Sequence, residues 1–255
     1  MSLCFNLLYV KILPLYSSIK KHWILAITCL ALSRWVMAGE TFTFAAENSW
    51  PPFARADGRG LSRDIIEQAL SYSGSTATFI TVPYARALKM AENGQVDGAY
   101  NVTLQKNTLQ RFVFGNEPLF QAKASFYYPR GSTFDYASVD KFPGGINIAL
   151  ITGYEYGDRY EAHRKRFKEV RVANQRQIIN MLLENKVHMA IMFDDVASYT
   201  LATMQLPQDA IRKGKLNHIS DIYVAFSSKA ENLEAKINLF DEGLRRLKKT
   251  NGIIK

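Results

Sequence analysis

The segment AAENSWPPF, residues 45–53, offers groups that could bind a small molecule: an acid, an amide and a large aromatic ring. It overlaps the end of an apolar run at 41–46 that predicts a strand. Pro51 and Pro52 end this strand, because proline fixes φ and removes a backbone donor. Trp50 precedes a proline, which favours an extended conformation. The segment therefore predicts a stiff loop that presents the Trp50 ring either to a ligand or as a cap on the core.

Covalent and metal chemistry find little support in the sequence. His163, His188 and His218 are scattered, without the spacing of metal ligands. The sequence contains no glycine-rich phosphate loop and no nucleophile-elbow motif. We therefore predict a protein that is not an enzyme, with no catalytic residue, no metal and no cofactor.

Residues 1–38 have the pattern of a secretory signal peptide. Basic residues at 20–22 precede the apolar run Trp23–Leu32, and the residues up to Ala38 suit a signal peptidase. The apolar run is too short to span a membrane. We predict export to the periplasm with cleavage after Ala38. An uncleaved anchor is the alternative, and the long lead at 1–19 leaves the true start codon open.

Composition narrows the class of protein further. Cys4 and Cys29 both fall within residues 1–38, so we predict a mature chain without disulfides or thiolate sites. The net charge of +9 falls to +5 without the four basic residues of that segment. Basic runs at 163–168 and 245–249 lie in segments with helical spacing. We interpret them as solvated helix faces and expect no nucleic-acid partner.

The sequence predicts helices and strands that alternate along the chain. Apolar residues recur at helical spacing over 61–73, and a β-rich run follows at 77–82. Pro83 suits the start of a second helix, which ends near Asn93, and a strand is predicted at 96–102. This alternation predicts an α/β fold with parallel sheets covered by helices.

One unit of sequence occurs twice, about ninety residues apart. KMAENGQVDGAY at 89–100 and NMLLENKVHMAI at 180–191 both run from an apolar helix face through Glu-Asn into a strand. We interpret the two copies as the edges of two α/β lobes. Apolar runs at 124–128 and 222–226 bracket the second copy and are the expected crossings between the lobes.

The order of motifs ENSWPPF, GRGLSRDIIEQAL, VPYARALKMAENGQVDGAYNVT and RFVFGNEPLF resembles the family 3 extracytoplasmic solute-binding proteins, the amino-acid-type receptors of ABC importers. The resemblance covers about residues 40–250. It implies the type II periplasmic-binding-protein fold, in which two hinge strands join two lobes with the ligand cleft between them. The implied lobes are 39–125 plus 220–255, and 126–219, in a monomer.

The resemblance implies a periplasmic protein that captures a small polar solute by lobe closure and delivers it to a membrane ABC permease. An amino acid or a related small carboxylate is the expected solute. A ligand sensor for a membrane signalling partner is the first alternative. A dehydratase-like enzyme is the second, because some proteins on this fold use cleft carboxylates, for which Glu47 and Glu155 are the candidates.

In the first lobe the resemblance assigns ligand contacts to the loop and strand ends. Trp50 holds the place of the aromatic residue that lies against the ligand's apolar part. Asn101 and Thr103 stand where the family has small hydrogen-bonding residues, and Thr103 is the expected cap of the next helix. Within PYARAL, Tyr84 and Arg86 are further candidates, Arg86 for an anionic group.

The sequence departs from the family at the arginine that grips an α-carboxylate. Its place in the T-x-x-R motif is taken by Thr108, and Arg111 lies three residues further on. If the ligand is anionic, Arg86 or Arg111 must supply the charge. If it is neutral or cationic, the acids Glu47, Glu155 and Asp194 are the expected partners.

In the second lobe the family's Gly-Thr-Thr turn corresponds to Gly153, Tyr154 and Glu155, with Tyr154 as a ligand contact. Asp194 falls near the family's acid that pairs with a ligand ammonium group. The register leaves Asp195 open as the alternative.

Overall fold

The computed structural model describes residues 39–251. The predicted signal peptide, its cleavage site and both cysteines lie outside these residues. Within them, nine strands form one sheet in the order β2-β1-β3-β9-β5-β8-β6-β7, and β4 also pairs with β9. The strands are β1 Thr41–Glu47, β2 Thr76–Val82, β3 Gly98–Thr103, β4 Val113–Phe114, β5 Phe120–Pro129, β6 Asn147–Ile151, β7 Lys168–Val172, β8 Met189–Phe193 and β9 Ile211–Phe226.

Helices follow most of the strands, which confirms the predicted α/β class. They are α1 Leu61–Ser71, α2 Tyr84–Asn93, α3 Lys106–Leu109, α4 Asp158–His163, α5 Gln175–Leu183, α6 Asp194–Thr203 and α7 Leu233–Asn251, with short 3₁₀ turns at Val139–Lys141 and Arg164–Arg166. In the part of the chain that the structure covers, none of the helices is long and apolar enough to cross a membrane.

The sheet has two halves with the same local order. In the first half, β1 pairs in parallel with both β2 and β3. In the second half, β6 pairs in parallel with both β7 and β8. Strands β9 and β5 lie between the halves and run antiparallel to their neighbours β3 and β8. Within each half, the carboxyl ends of the parallel strands, and the loops that follow them, therefore lie at one edge.

The repeated sequence unit has the same local structure in both copies. Each runs from a helix, α2 or α5, through a left-handed residue into a strand, with φ of 76° at Gly94 and 55° at Asn185. In both turns the amide after the left-handed residue bonds to the carbonyl five residues earlier, at 2.9 Å. This bond is typical of the Schellman helix end, in which a glycine or an asparagine takes the left-handed position, as Gly94 and Asn185 do here.

Strands β5 and β9 carry the chain between the halves. The register between them shifts between Ala124 and Ser125 and again between Ser125 and Tyr127. Such bulges bend a strand and increase its local twist. The shifts fall in the stretch of β5 that also pairs with β8, so the bend occurs where the two halves join.

Candidate functional site

A small cavity lies where strand ends of both halves meet. It encloses about 10 Å³, which is room for about one water molecule. The first half contributes residues at the ends of β1 and β3 and at the start of α2, and the second half contributes the turn after β6 and the end of β8. The lining residues are Glu47, Trp50, Tyr84, Asn101, Thr103, Tyr154, Glu155 and Phe193.

Two tyrosine–carboxylate pairs cross this cavity in opposite directions. The Tyr154 hydroxyl, from the second half, donates to Oε2 of Glu47 in the first half. The Tyr84 hydroxyl, from the first half, donates to Oε2 of Glu155 in the second half at 2.8 Å. The two tyrosine rings meet edge to face, with centroids 4.9 Å apart. These reciprocal bonds hold the halves together at the site.

Burial makes both carboxyl groups weaker acids than exposed carboxyl groups are. Glu47 is 2% exposed, and this burial raises its pKa to about 8, helped by the charge of Glu155 and opposed by the Tyr154 hydrogen bond. Burial likewise raises the pKa of Glu155 to about 7, while the Tyr84 hydrogen bond and the charge of Arg111 lower it. Each group therefore exchanges its proton close to neutral pH.

Trp50 forms an aromatic wall of the cavity. Its ring packs against Phe53, Phe120 and Phe193, with centroid distances of 4.7, 5.9 and 5.0 Å. Reciprocal backbone bonds of 2.9 Å between Trp50 and Ala54 hold the loop, as its prolines predicted. Trp50 is 1% exposed, and its Nε1 has no hydrogen-bond partner within residues 39–251. The ring thus both caps the core and offers a donor at the cavity.

Asn101 offers a second donor at the cavity. Its backbone is left-handed, with φ of 66°, and interrupts the pairing of β3 with β9. The Ser62 hydroxyl donates to Oδ1 of Asn101 at 2.5 Å, which fixes the amide with its Nδ2 on the other side. That Nδ2 is buried and finds no partner in the described chain. Buried donors normally have partners, so the site provides for an acceptor here.

Thr103 faces the cavity instead of capping the next helix. Its hydroxyl is 3.5 Å from Oε2 of Glu155. The residue at the N-terminal cap position of α3 is Gln105, whose backbone amide bonds to the Thr108 side chain. The Thr108 hydroxyl donates to the carbonyl of Thr103 at 2.8 Å and accepts from the Gln105 amide at 2.9 Å. Thr108 therefore ties β3 to α3, which corrects the expectation that Thr103 caps this helix.

The structure does not bring the two candidate arginines to the cavity. Arg86 is exposed on α2 and is absent from the lining. Arg111 pairs with Glu92 at 3.2 Å and lies over the ring of Phe112. Arg86 projects from the exposed face of α2, and Arg111 lies in the turn that follows α3. None of the described residues that line the cavity is a lysine or an arginine.

Asp194 also lies outside the cavity. It is the first residue of α6, where its carboxylate accepts from the Tyr127 hydroxyl at 3.0 Å and from Lys213 at 2.7 Å. Asp195 is exposed. The residue of this strand end that does line the cavity is Phe193, which the sequence analysis missed. Its position as the last residue of β8, at the sheet's carboxyl edge, was the available signal.

A wider groove adjoins the cavity. It measures about 540 Å³ and shares Glu47, Tyr84 and Tyr154 with the cavity. Its other walls include Asn48 after β1 and Asn174 before α5. Among residues 39–251, no cluster of three or more His, Cys, Asp or Glu side chains is placed to hold a metal ion. The arrangement provides hydrogen bonds, charge and aromatic surface.

The sequence matches no protein-family model and no curated protein sequence. Solved structures do resemble the fold. A histidine kinase sensor domain with similarity to periplasmic binding proteins matches with a TM-score of 0.70 and 15% identity, over 84% of this chain and 93% of that chain. An arginine third transport system periplasmic binding protein from Legionella pneumophila matches with a TM-score of 0.67 and 16% identity, over 84% and 95%.

A third similar structure connects the fold with catalysis. It is an ancestral amino-acid-binding protein described as a precursor of cyclohexadienyl dehydratase, with a TM-score of 0.67 and 13% identity, over 85% of this chain and 93% of that chain. At such identities the similarity shows the fold. The chain has the α/β periplasmic-binding-protein fold, as the sequence resemblance predicted.

Proposed function

We propose that the protein is a periplasmic solute-binding protein that captures a small cationic solute between its two halves. One observation carries this proposal: two buried carboxyl groups, Glu47 and Glu155, face a cavity with aromatic walls, and no described lining residue supplies a positive charge. A buried carboxylate is stable when a cation pairs with it. The solute's ammonium or guanidinium group would supply that cation.

The aromatic rings add to the attraction. Trp50, Tyr84 and Tyr154 surround the acids, and a cation over an aromatic face gains about 0.5–2 kcal/mol. The solute would take the place of the tyrosine hydroxyls as donor to the carboxylates. Because a cation adds Coulombic attraction to the hydrogen bond with a carboxylate, this exchange favours a cation over the neutral hydroxyls.

Closure around the solute would couple binding to a change of shape. The acids and tyrosines come from both halves, so the full set of contacts exists only when the halves meet. A ligand that makes contacts in one state alone shifts the equilibrium towards that state. We assign one lobe to residues 39–125 plus 220–255 and the other to residues 126–219. In this proposal the protein is an exported monomer, and its closed form delivers the solute to a membrane ABC permease.

Two alternatives have support of their own. The similarity to a kinase sensor domain supports a ligand sensor that reports closure to a membrane signalling partner. The similarity to a dehydratase precursor, together with two carboxyl groups whose pKa burial raises towards neutrality, supports proton transfer to a bound substrate. The cation-binding site is common to the transport and sensor alternatives.

A ligand screen tests the proposal. Alkylamines, guanidines, cationic amino acids and small carboxylates are compared by thermal shift and titration calorimetry at pH 8. We expect binding by compounds that carry a cation. Glu47→Gln and Glu155→Gln should each weaken it at least about thirtyfold, the loss expected when a desolvated charge pair is broken. Glu67→Gln is the matched control, because Glu67 is exposed and pairs with Arg63 on α1.

Two outcomes would contradict the proposal. Binding of small carboxylates without any binding of amines would show that the site takes anions. Conversion of a bound compound into a product, lost in the two glutamine variants, would favour the enzyme alternative.

A further inference from the structure

A second pocket, of about 250 Å³, continues the groove away from the acids. It lies between the 48–56 loop of the first half and, in the second half, the start of α5 and the C-terminal half of α6. It shares Asn48, Ser49, Ala56 and Asn174 with the groove, which itself shares Glu47 with the cavity. The three spaces therefore adjoin one another from the buried acids to this outer pocket, and together they are called the channel.

The outer pocket has the opposite charge to the cavity. Arg55 lines it from the first half, and Arg176 lines it from the second. Arg176 has no ion-pair partner in the described part of the chain. It stands in the first turn of α5, a turn without acidic residues, where the helix dipole disfavours a cation.

Arg55 keeps donors available for an anion. Its Nε and Nη2 donate to Asp57 at 3.3 Å, and the two side chains are 39% and 52% exposed. An exposed pair of this kind contributes little energy, so an anion can compete with it or use the remaining Nη1. The Tyr199 hydroxyl of the second half lies beside the Arg55 guanidinium and raises its pKa, ahead of the effect of Asp57.

A buried amide completes the wall between the arginines. Gln175 is 3% exposed and lines the pocket, and its side-chain oxygen has no hydrogen-bond partner in residues 39–251. The same amide carries an NH₂ group, a donor of the kind that an anion requires. The neighbouring Asn174 already caps α5 through the Gln177 amide, so side chains rather than free backbone amides would meet an anion here.

We propose that Arg55 and Arg176 form a carboxylate subsite at the outer end of this channel. The inference deepens the proposed function and rests on it in one respect: the solute has two ends, a cationic head at Glu47 and Glu155 and a carboxylate at the arginines. Since the arginines belong to different halves, a carboxylate between them joins the halves at a second place. The carboxylate of the solute would then be bound without an arginine at position 108.

Pairs of compounds that differ only in the carboxylate test the subsite. The probes are 4-aminobutanoate, 6-aminohexanoate and 8-aminooctanoate, each compared by calorimetry with the alkylamine of the same chain length. We expect one amino acid of the series to bind about tenfold more tightly than its amine, the gain of one charge-assisted hydrogen-bonded contact. If the amines bind, equal affinity within every pair would overturn the subsite while leaving the proposed function intact.

Variants locate the effect. Arg55→Ala and Arg176→Ala should each lower the affinity for the best amino acid towards that of its amine, by up to about tenfold, and leave the affinity for the amine unchanged. Arg130→Ala is the control, because Arg130 is 70% exposed, pairs with Asp209 and lines none of the three spaces. Loss of amine binding in the two pocket variants would mean a general disturbance of the site and would contradict the assignment.

A separate measurement distinguishes failure of the subsite from failure of the proposed function. Succinate, which has no cationic group, is titrated while the arginine side-chain NMR signals are followed. Shifts of the Arg55 and Arg176 signals support the subsite even if no amine binds, an outcome that would reject only the cationic head. Absence of these shifts, together with equal affinities in the paired series, would reject the subsite.

Discussion

Glu47 and Glu155 form a pair of buried acids with one tyrosine donor each. Each carboxyl receives its hydrogen bond from the opposite half, Glu47 from Tyr154 and Glu155 from Tyr84. Burial also raises the pKa of both tyrosines well above 10, so both remain donors. The site therefore changes charge through its acids, and their protonation decides whether it suits a cation.

The first prediction at the residue scale concerns stability and pH. Burial raises the pKa of Glu47 from 4.5 to about 8, so between these values the folded state holds a proton that the unfolded chain has released. The stabilisation is complete below the lower value and is lost as pH rises through the higher one. We expect the free energy of unfolding to fall across this window, and Glu47→Gln to flatten the decline. Urea denaturation of the ligand-free protein at a series of pH values measures the free energy of unfolding.

Glu155 contributes a similar decline between 4.5 and about 7. Replacement of both acids by glutamine should therefore flatten the profile further than either single change. Glu67→Gln again serves as control, since Glu67 lies outside the cavity. A profile that keeps its full slope in the double variant would show that other groups cause it.

The sequence predicted the part of the site that lies on strand ends and their loops. Trp50, Asn101 and Thr103 all line the cavity, at the strand ends and the loop where the family resemblance placed ligand contacts. Arg111 and Asp194 are not there. Their partners, Glu92 and Lys213, lie far away in the sequence, and only the packed structure shows that these charges already have partners.

At the scale of elements, Thr108 shows why the family's arginine has no room here. Thr108 is fully buried and its hydroxyl joins the end of β3 to the start of α3. We expect Thr108→Arg to destabilise the fold by at least about 2 kcal/mol, since it overfills the space and buries a charge. Thr108→Ser keeps the hydroxyl and should cost about 1 kcal/mol through its lost methyl group.

Urea denaturation at fixed pH compares the two variants. Thr108→Val provides a second check, because it keeps the shape and leaves the Gln105 amide and the Thr103 carbonyl without their partner, at about 1–3 kcal/mol. If the arginine variant were as stable as the parent protein, the space around Thr108 would be adaptable and a carboxylate grip at this position possible.

The element pattern of the first half was predicted within about two residues. The helix at 61–73 ends at Ser71, and the strand at 77–82 begins at Thr76. The long strand β9 was predicted only for its last residues, 222–226. Its earlier part, IRKGKLNHISD, is polar and contains a glycine, and it is a strand because β5 pairs along it. Tertiary pairing of this kind overrides local propensity.

At the scale of the whole molecule, the two acids should control the distance between the halves. Above about pH 8 both acids ionise, and two buried negative charges without a cation destabilise the closed arrangement. We expect the radius of gyration of the ligand-free protein to rise between pH 6 and pH 9, by small-angle X-ray scattering. A bound amine should reverse the change.

The variant with glutamine at positions 47 and 155 separates this effect from general unfolding. It should stay compact at pH 9 without a ligand, because no charge accumulates between the halves. An equal increase in radius in this variant would mean that hinge strands β5 and β9, or other surface charges, set the distance instead.

Trp50 is also placed where its fluorescence would report on the contact between the halves. The full sequence has three tryptophans, and two of them, Trp23 and Trp35, precede the predicted cleavage after Ala38. A chain that begins at Gly39 would emit from a single indole, buried at 1% exposure among phenylalanine rings in the wall between the halves. When an amine is bound, we expect the Trp50 fluorescence maximum to lie at short wavelength and the fluorescence to resist quenching by acrylamide. Opening at high pH should shift this emission to longer wavelength and expose it to the quencher. Emission that never changes would mean that the Trp50 ring stays covered throughout the solute's entry and release.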